Sequence, residues 1–298
     1  MTNPIQLLTP GPWQDYELID TGGFEKLERF GKFVLRRPEP QAIWDKSLSE
    51  EEWKSQTDSY FAKDKKNPEK GFWQSPSNMP HNWQIGYENS AGLKMRLNLA
   101  QTSFKHIGLF PEQAVNWDYI YERVKSSKMN SPKVLNLFAY TGASSLAAKA
   151  AGADVTHLDS VKQVVTWTKH NMEDSGLDGI RWMIDDAMKF IKREARRGNT
   201  YQGIILDPPA YGRGPGGEKW VLEEQINEML KVCSEILDPK QHFLLLNMYS
   251  LSFSSLIAAN LIQTNFKSVT NPEQGELYLN DSQNKKLPLG IFYRFSNY

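Results

Sequence analysis

Residues 134–138, VLNLF, form a short run in which four of the five positions are apolar, the pattern of a strand buried on both faces. The turn Ala139, Tyr140, Thr141, Gly142 separates it from an alanine-rich segment, 143–150, of strong helix propensity, and Gly152 stands where a helix C-terminal glycine belongs. A second strand, 154–158, ends on the carboxylate of Asp159. The alternation then repeats. The pattern predicts a helix over 160–175 with Ser160 as N-cap and Gly176 as its stop, a strand at 181–184, and a helix over 187–197. A fully buried strand follows at 204–206, then a helix at 223–237, a strand at 242–248 and a helix at 254–265. Two closing strands, 276–279 and 289–295, read as antiparallel across Asp281, Ser282, Gln283 and Asn284. Strands that alternate with helices predict an α/β unit with a doubly wound, mostly parallel sheet.

The first third follows a different rhythm. Short strands within 13–45 are marked by the alternation Lys32, Phe33, Val34, Leu35, Arg36 and by the turn at Gly22 and Gly23. A charged stretch, 47–71, reads as a surface helix and loop. Strands resume between 72 and 100 around the turn Asn89, Ser90, Ala91, Gly92. Residues 104–118 bridge into the second part, and a helix is predicted over 113–129 with Pro111 near its start. The expected organisation is a small β-rich N-terminal domain, 1–103, and an α/β domain, 104–298.

Composition narrows the functional classes. The 298 residues hold 35 Lys and Arg against 35 Asp and Glu, so no global basic field announces a nucleic-acid partner, although a local cleft can still be basic. One cysteine, Cys233, rules out an internal disulfide and a multi-cysteine zinc site and is compatible with a reducing cytosol. The segment MTNPIQLLTPGPW shows no signal peptide, and no apolar run reaches the roughly 18 residues of a membrane span.

Strand, tight turn, helix, strand and terminal acid make a βαβ unit suited to a nucleoside-bearing cofactor. Its turn lets backbone N–H groups face the ligand, and Asp159 can accept from a ribose diol. A dinucleotide fingerprint would need three glycines where pyrophosphate approaches the backbone; here Gly142 stands alone beside Phe138 and Tyr140, which opposes an NAD-dependent oxidoreductase. The sequence Asp207, Pro208, Pro209, Ala210, Tyr211 ends its strand abruptly, and open α/β sheets bind ligands outside the carboxyl ends of their strands. Its carboxylate and proline carbonyls accept hydrogen bonds and its prolines donate none, which suits an amine whose lone pair must be freed. Tyr211 can stack a flipped base, worth ~1–3 kcal/mol. Segment 212–217 reads as a mobile loop around Arg213, a lid over a phosphate-bearing substrate or a plain linker.

The order N-L-F-A-Y-T-G, a strand ending H-x-D, a D-A pair and D-P-P-x-aromatic resembles the motifs of class I S-adenosylmethionine-dependent methyltransferases. Within these it is most similar to the subgroup containing 23S ribosomal RNA cytosine-C5 and guanine methyltransferases. The resemblance covers about residues 90–298. It implies a Rossmann-like, seven-stranded, mostly parallel sheet with an inserted terminal hairpin, S-adenosyl-L-methionine as cofactor, and ribosomal RNA as partner in the cytoplasm. Carried onto matching positions, it implies that Phe110 and Gln113 face the methionine end of the cofactor, in a segment that also matches at Gly108, Leu109, Glu112 and Asn116. Ala114 stands where the family has an arginine, so the carboxylate contact of that arginine has no counterpart. Asn136, Ala139, Tyr140, Thr141 and Gly142 form the first cofactor motif, and Asp159 with Ser160 holds the ribose. Asp186, followed by Ala187, faces adenine, with Asp185 as the alternative and helix capping as a competing task for either. Asp207, which also borders the cofactor, and Pro208 receive the acceptor nitrogen, and Tyr211 forms the stacking wall.

Cytosine-C5 members carry a cysteine after the fifth strand or in the D-P-P region, because a thiolate must attack the ring. Here those places hold Asn247, Met248, Tyr249, Ser250 and Pro208, Pro209, Ala210, while Cys233 falls mid-helix on a core face. Direct transfer to a base nitrogen is therefore expected, with methylation of a protein or small-molecule amine, or a non-catalytic RNA-binding protein of the same fold, as alternatives.

Overall fold

The computed structural model describes residues 4–64, 71–249 and 253–298. The first residues of the N-terminal segment, part of the charged stretch (65–70), and residues 250–252 after the fifth strand of the α/β unit lie outside these. The N-terminal third contains β1 (Ile5–Leu8), β2 (Tyr16–Gly22), β3 (Glu25–Phe30), β4 (Phe33–Pro38), α1 (Glu50–Gln56), β5 (Ser59–Lys63), β6 (Gly71–Gln74), β7 (Asn82–Glu88) and β8 (Lys94–Ala100). A 3-10 turn, Pro111–Gln113, leads into α2 (Ala114–Ser126). Then follow β9 (Lys133–Leu137), α3 (Ala143–Ala150), β10 (Asp154–Asp159), α4 (Lys162–Asp174), β11 (Arg181–Ile184), α5 (Ala187–Arg196) and β12 (Gly203–Leu206). The chain closes with β13 (Tyr211–Arg213), β14 (Lys219–Val221), α6 (Leu222–Ile236), β15 (Phe243–Met248), α7 (Ser255–Asn265), β16 (Glu273–Asn280) and β17 (Lys286–Ser296).

The main sheet runs β1-β16-β17-β15-β12-β9-β10-β11. Neighbours from β15 to β11 are parallel, and β17 runs antiparallel to both β15 and β16. The seven expected strands are present, with the terminal hairpin inserted. An eighth, β1, pairs in parallel with β16 at Ile5↔Gln274 to Leu8↔Leu277, so these residues extend the main sheet instead of joining the N-terminal one. A Cβ at Gly275 would come within 1.8 Å of the Gln6 carbonyl, so glycine there is what lets β1 lie so close. The motif IQLL carries no mark that separates an added edge strand from the first strand of a small sheet.

Consecutive residues of the central strands feed opposite layers, as period-two alternation requires. Val134, Ile205, Phe243 and Leu245 enter the core shared with α2, α3 and the N-terminal strands. Leu135, Leu137, Ile204, Leu206, Leu244 and Leu246 enter the core shared with α5, α6 and α7. Each of these side chains is at most 1% exposed, worth roughly 1.5–3 kcal/mol of burial apiece.

The five-stranded sheet β2-β3-β4-β5-β6 is fastened to the terminal hairpin through buried polar groups. Asp20, fully buried, accepts from the Trp53 indole (2.8 Å), the Leu48 N–H (2.9 Å) and Lys285 Nζ (2.8 Å), while Thr21 Oγ1 donates to Asp281 Oδ2 at 2.7 Å. Burial alone would raise the Asp20 carboxyl, but these donors outweigh it and hold it below its usual range. On the other side, the β7–β8 hairpin is pinned to α4 by Trp167 Nε1 donating to the Asn98 carbonyl and by Asn171 accepting from the Asn98 N–H, both at 2.8 Å. These two attachments set the N-terminal strands against the carboxyl ends of the main sheet.

Candidate active site

The strand order reverses between β9 and β12, and open α/β sheets bind ligands at such a switch point. A cavity of about 850 Å³ opens there, within the ~300–1,000 Å³ usual for ligand clefts. The first turn forms its floor. Phe138 and Tyr140 have φ of 55° and 49°, a conformation unusual for bulky residues, and Gly142 follows at 84°. The surroundings hold this turn firmly: Thr141 Oγ1 donates to the Gly108 carbonyl (2.6 Å), Thr168 Oγ1 to the Tyr140 carbonyl (2.9 Å), and Asn171 Nδ2 to the Thr141 carbonyl (2.9 Å). No side chain caps α3, so Ala143 and Ser144 line the cavity at an open helix N-terminus.

Asp159 closes β10 and accepts from the Tyr140 N–H (Oδ2, 2.9 Å) and the Val161 N–H (Oδ1, 2.9 Å). Burial raises its carboxyl, although these N–H groups oppose the shift. The second bond is an Asx-type turn, and it displaces the expected cap: α4 begins at Lys162, Val161 is its N-cap residue, and Ser160 makes no capping bond. Ser160 remains on the cavity wall. Asp186 does cap α5, its Oδ1 accepting from the Lys189 N–H at 2.8 Å. Both oxygens of Asp185 are engaged, one by the Asp186 N–H at 2.8 Å and the other by Arg193.

At the carboxyl ends of β12 and β15, Asp207 and Asn247 stand one step past the pair Leu206↔Leu246. Asn247 Nδ2 donates to Asp207 Oδ1 at 2.7 Å, and the buried Asn247 Oδ1 has no hydrogen-bond partner among the described residues. Burial pushes the Asp207 carboxyl up to about 6, with the Asn247 amide opposing. Glu112 lines the same cavity and is pushed up to about 7 by burial. Pro208 lies in the wall, and the Pro209 carbonyl is taken by Trp220 Nε1 at 2.7 Å.

Of the predicted residues, Phe110, Gln113, Asn136, Ala139, Tyr140, Thr141, Gly142, Asp159, Ser160, Asp186, Ala187, Asp207 and Pro208 all line this one cavity. Gln113 Oε1 is bonded to Asn116, and Asn136 to Ser145, which in turn meets the buried His157. Tyr211 is the exception. It lies outside the cavity lining and is 52% exposed, because the predicted mobile loop is a hairpin in which Tyr211 pairs with Val221 at the outer end. The apolar wall near the diproline is instead Trp220 against Phe138, ring centroids 4.8 Å apart. Sequence reasoning also missed Asn247 as a site residue and the contribution of Lys26, Arg37, Glu39 and Lys105, which reach the cavity from the N-terminal strands and bridge.

The donor set suits an adenosyl sulfonium. Two strand-end acids lie where a ribose and an amino group can donate, the Phe110–Tyr140 pair (5.4 Å) offers apolar faces, and the crowded turn gives no glycine track for a pyrophosphate. Comparison with known proteins agrees. A methyltransferase structure from Agrobacterium tumefaciens, described as S-adenosylmethionine-dependent, is 36% identical, covers 98% of this chain and 94% of its own, and superposes with a TM-score of 0.90. One from Streptococcus mutans, at 18% identity, 95% and 75% coverage and a TM-score of 0.71, shows the shared fold. The ribosomal RNA large subunit methyltransferase K/L of Shewanella frigidimarina is 29% identical over 188 residues, 61% of this chain; the match spans only 25% of that relative's length. With the S-adenosylmethionine-dependent methyltransferase family model matching residues 52–252, the chain belongs to that family, and S-adenosylmethionine is its cofactor.

Proposed function

We propose that the enzyme methylates a nitrogen of a ribosomal RNA base in the cytosol. The observation that carries this reading is the acceptor end of the cavity, where Asp207 and the unpartnered Asn247 Oδ1 present only hydrogen-bond acceptors to an amine. The RNA class is supported by the names of the curated relatives. The cofactor supplies an electrophilic methyl on a sulfonium. Asp207 Oδ2 and the Pro208 carbonyl orient the amine, and Asp207 takes the proton that the nitrogen loses. Phe138 and Trp220 keep water from the reacting atoms. Cytosine-C5 chemistry lacks a nucleophile, since the sole cysteine, Cys233, is fully buried within α6 and its thiol is pushed up by burial. Among the described residues no helix is long and apolar enough to cross a membrane. Incubation of total RNA from a deletion strain with the enzyme and methyl-labelled cofactor is expected to label one position of large-subunit RNA. Absence of label from every RNA would transfer the reading to a protein or small-molecule amine.

Asp186 is the better of the two acids for adenine, because Asp185 has both oxygens committed to protein partners. Serine retains the cap, so Asp186→Ser is expected to leave stability within about 0.5 kcal/mol. It should weaken cofactor binding roughly tenfold, the worth of one hydrogen bond to a charged group. Unchanged affinity in a calorimetric titration would leave Asp186 as a cap alone.

A further inference from the structure

The reaction proposed above uses none of the charges that the N-terminal strands bring to the cavity. Lys26 on β3 and Arg37 on β4 are directly cross-strand, an arrangement that costs stability for like charges. Glu28 holds them together: it takes two bonds from Arg37, at 2.9 and 2.6 Å, while Lys26 Nζ stands 3.5 Å from Glu28 and 3.3 Å from Glu39. Glu39 is bonded in turn by the Tyr249 hydroxyl at 3.1 Å. Lys26 and Arg37 side chains are 9% and 4% exposed. Lys105 adds a third cation to the same wall. Its Nζ reaches the Pro38 carbonyl at 3.4 Å, and among the described residues no carboxylate lies within ion-pair distance of it. Burial lowers the Lys105 ammonium below its usual range, with Lys26 and Arg37 adding to the shift and Glu39 opposing it through space.

Three cations thus share two carboxylates, Glu28 and Glu39, while Glu112, which Lys26 also reaches, is pushed up to about 7 by burial. The resulting field is felt by His106, whose imidazole is pushed down to about 3 by burial and then by Arg37, Lys105 and Lys26. Glu112 is acted on by both Lys26 and Asp207, so this wall and the acceptor loop lie within electrostatic reach of each other. A cluster that served only the fold would be expected to balance its charges, since an uncompensated buried charge is costly. An excess positive charge facing a cavity is matched by an anion, and phosphate oxygens are the partners Lys and Arg bind best.

We propose that Lys26, Arg37 and Lys105 form a subsite for the phosphate next to the acceptor base, so that the N-terminal strands read the backbone while the diproline loop reads the nitrogen. This rests on a nucleotide acceptor. The phosphate is either a bridging group within an RNA strand or the monoester of a free nucleotide.

Titrations of the full chain, saturated with S-adenosylhomocysteine, test it with nucleoside 5′-monophosphates, their parent nucleosides, and trinucleotides lacking terminal phosphates. Phosphate-bearing probes are expected to bind about tenfold more tightly than nucleosides. That preference should fall below about threefold in Lys105→Met, with cofactor affinity unchanged. Lys105 makes one long hydrogen bond, so its replacement spares the Glu28 network and the fold. Trinucleotides binding at least as well as monophosphates identify the bridging source, and the reverse order identifies the monoester. Equal binding of nucleosides and nucleotides, including none by either, or an undiminished preference in Lys105→Met, overturns the subsite. RNA that is labelled without a phosphate preference sinks the subsite alone. A phosphate preference without any RNA label sinks the ribosomal reading and leaves the subsite standing.

Discussion

Asp207→Ala is expected to lower the single-turnover rate of methyl transfer by roughly 10²–10³-fold, the loss typical of one preorganised hydrogen-bonding group in a closed site. Affinity for S-adenosylmethionine should stay within a few-fold, because Asp159 ends β10 and Asp186 caps α5, both away from β12. Loss of both together would remove the acceptor role from Asp207. The pH dependence follows from its environment: burial holds the carboxyl near 6, so the rate should fall as pH drops below about 6 and level off above 7. Stability moves the opposite way. The unfolded chain releases this proton near 3.8, whereas the folded chain keeps it to about 6. The group therefore favours folding below 3.8 and loses that contribution as pH rises through 6, which amounts to roughly 3 kcal/mol at pH 8. Asp207→Asn removes the titration and keeps the hydrogen bond from Asn247. Its stability relative to the parent should thus rise from pH 4 to pH 8 in urea unfolding while its activity is lost. A flat difference across that range would mean that the carboxyl is not desolvated.

Apart from β1, the main sheet was legible because each of its elements carries its own signal. Short, mostly apolar runs mark β9, β12 and β15, and Gly142, Gly152 and Gly176 punctuate α3 and α4. The exposed edges were less legible. β5 sits in a charged stretch, and its alternation of buried Ser59 and Phe61 around exposed Tyr60 is too short to stand out. The β13–β14 hairpin hides in a glycine-rich segment, because its strands pair at just three positions and are too short to show a pattern. The half of the cavity proposed to take the cofactor was readable because one βαβ unit supplies most of it in a continuous stretch. The opposite wall was not. Lys26 and Arg37 become neighbours only through the register of β3 and β4, and that hairpin is set against the cavity by long-range bonds: those of Asp20 and Thr21 near Lys285, and those of Glu39 with Tyr249 and Pro38 with Lys105. In the sequence, Lys26 and Glu28 look like an ordinary solvated strand face.

Gly142→Ala should destabilise the enzyme by roughly 2–6 kcal/mol and carry cofactor binding down with it. Two costs add. At φ 84° an alanine enters the left-handed region, worth about 1–3 kcal/mol. Its Cβ would also stand 2.0 Å from Thr168 Cγ2, and an overfilled site costs about 1–3 kcal/mol more. Thr168 has little freedom to retreat: it is fully buried, and its hydroxyl is shared between the Tyr140 carbonyl at 2.9 Å and the Val164 carbonyl at 3.1 Å. The strain would instead pass into the turn of Ala139, Tyr140 and Thr141, whose backbone already places Phe138 and Tyr140 at positive φ. The second variant Gly142→Ala/Thr168→Ser separates the terms, since serine keeps the hydroxyl and deletes the colliding methyl. With Thr168→Ser as its reference, adding Gly142→Ala should then cost only the left-handed part. Denaturant midpoints and cofactor titrations on the three proteins decide it. If Gly142→Ala alone cost under about 1 kcal/mol, the turn would be softer than its hydrogen bonds imply, and the preorganised cofactor floor built on it would have to be abandoned.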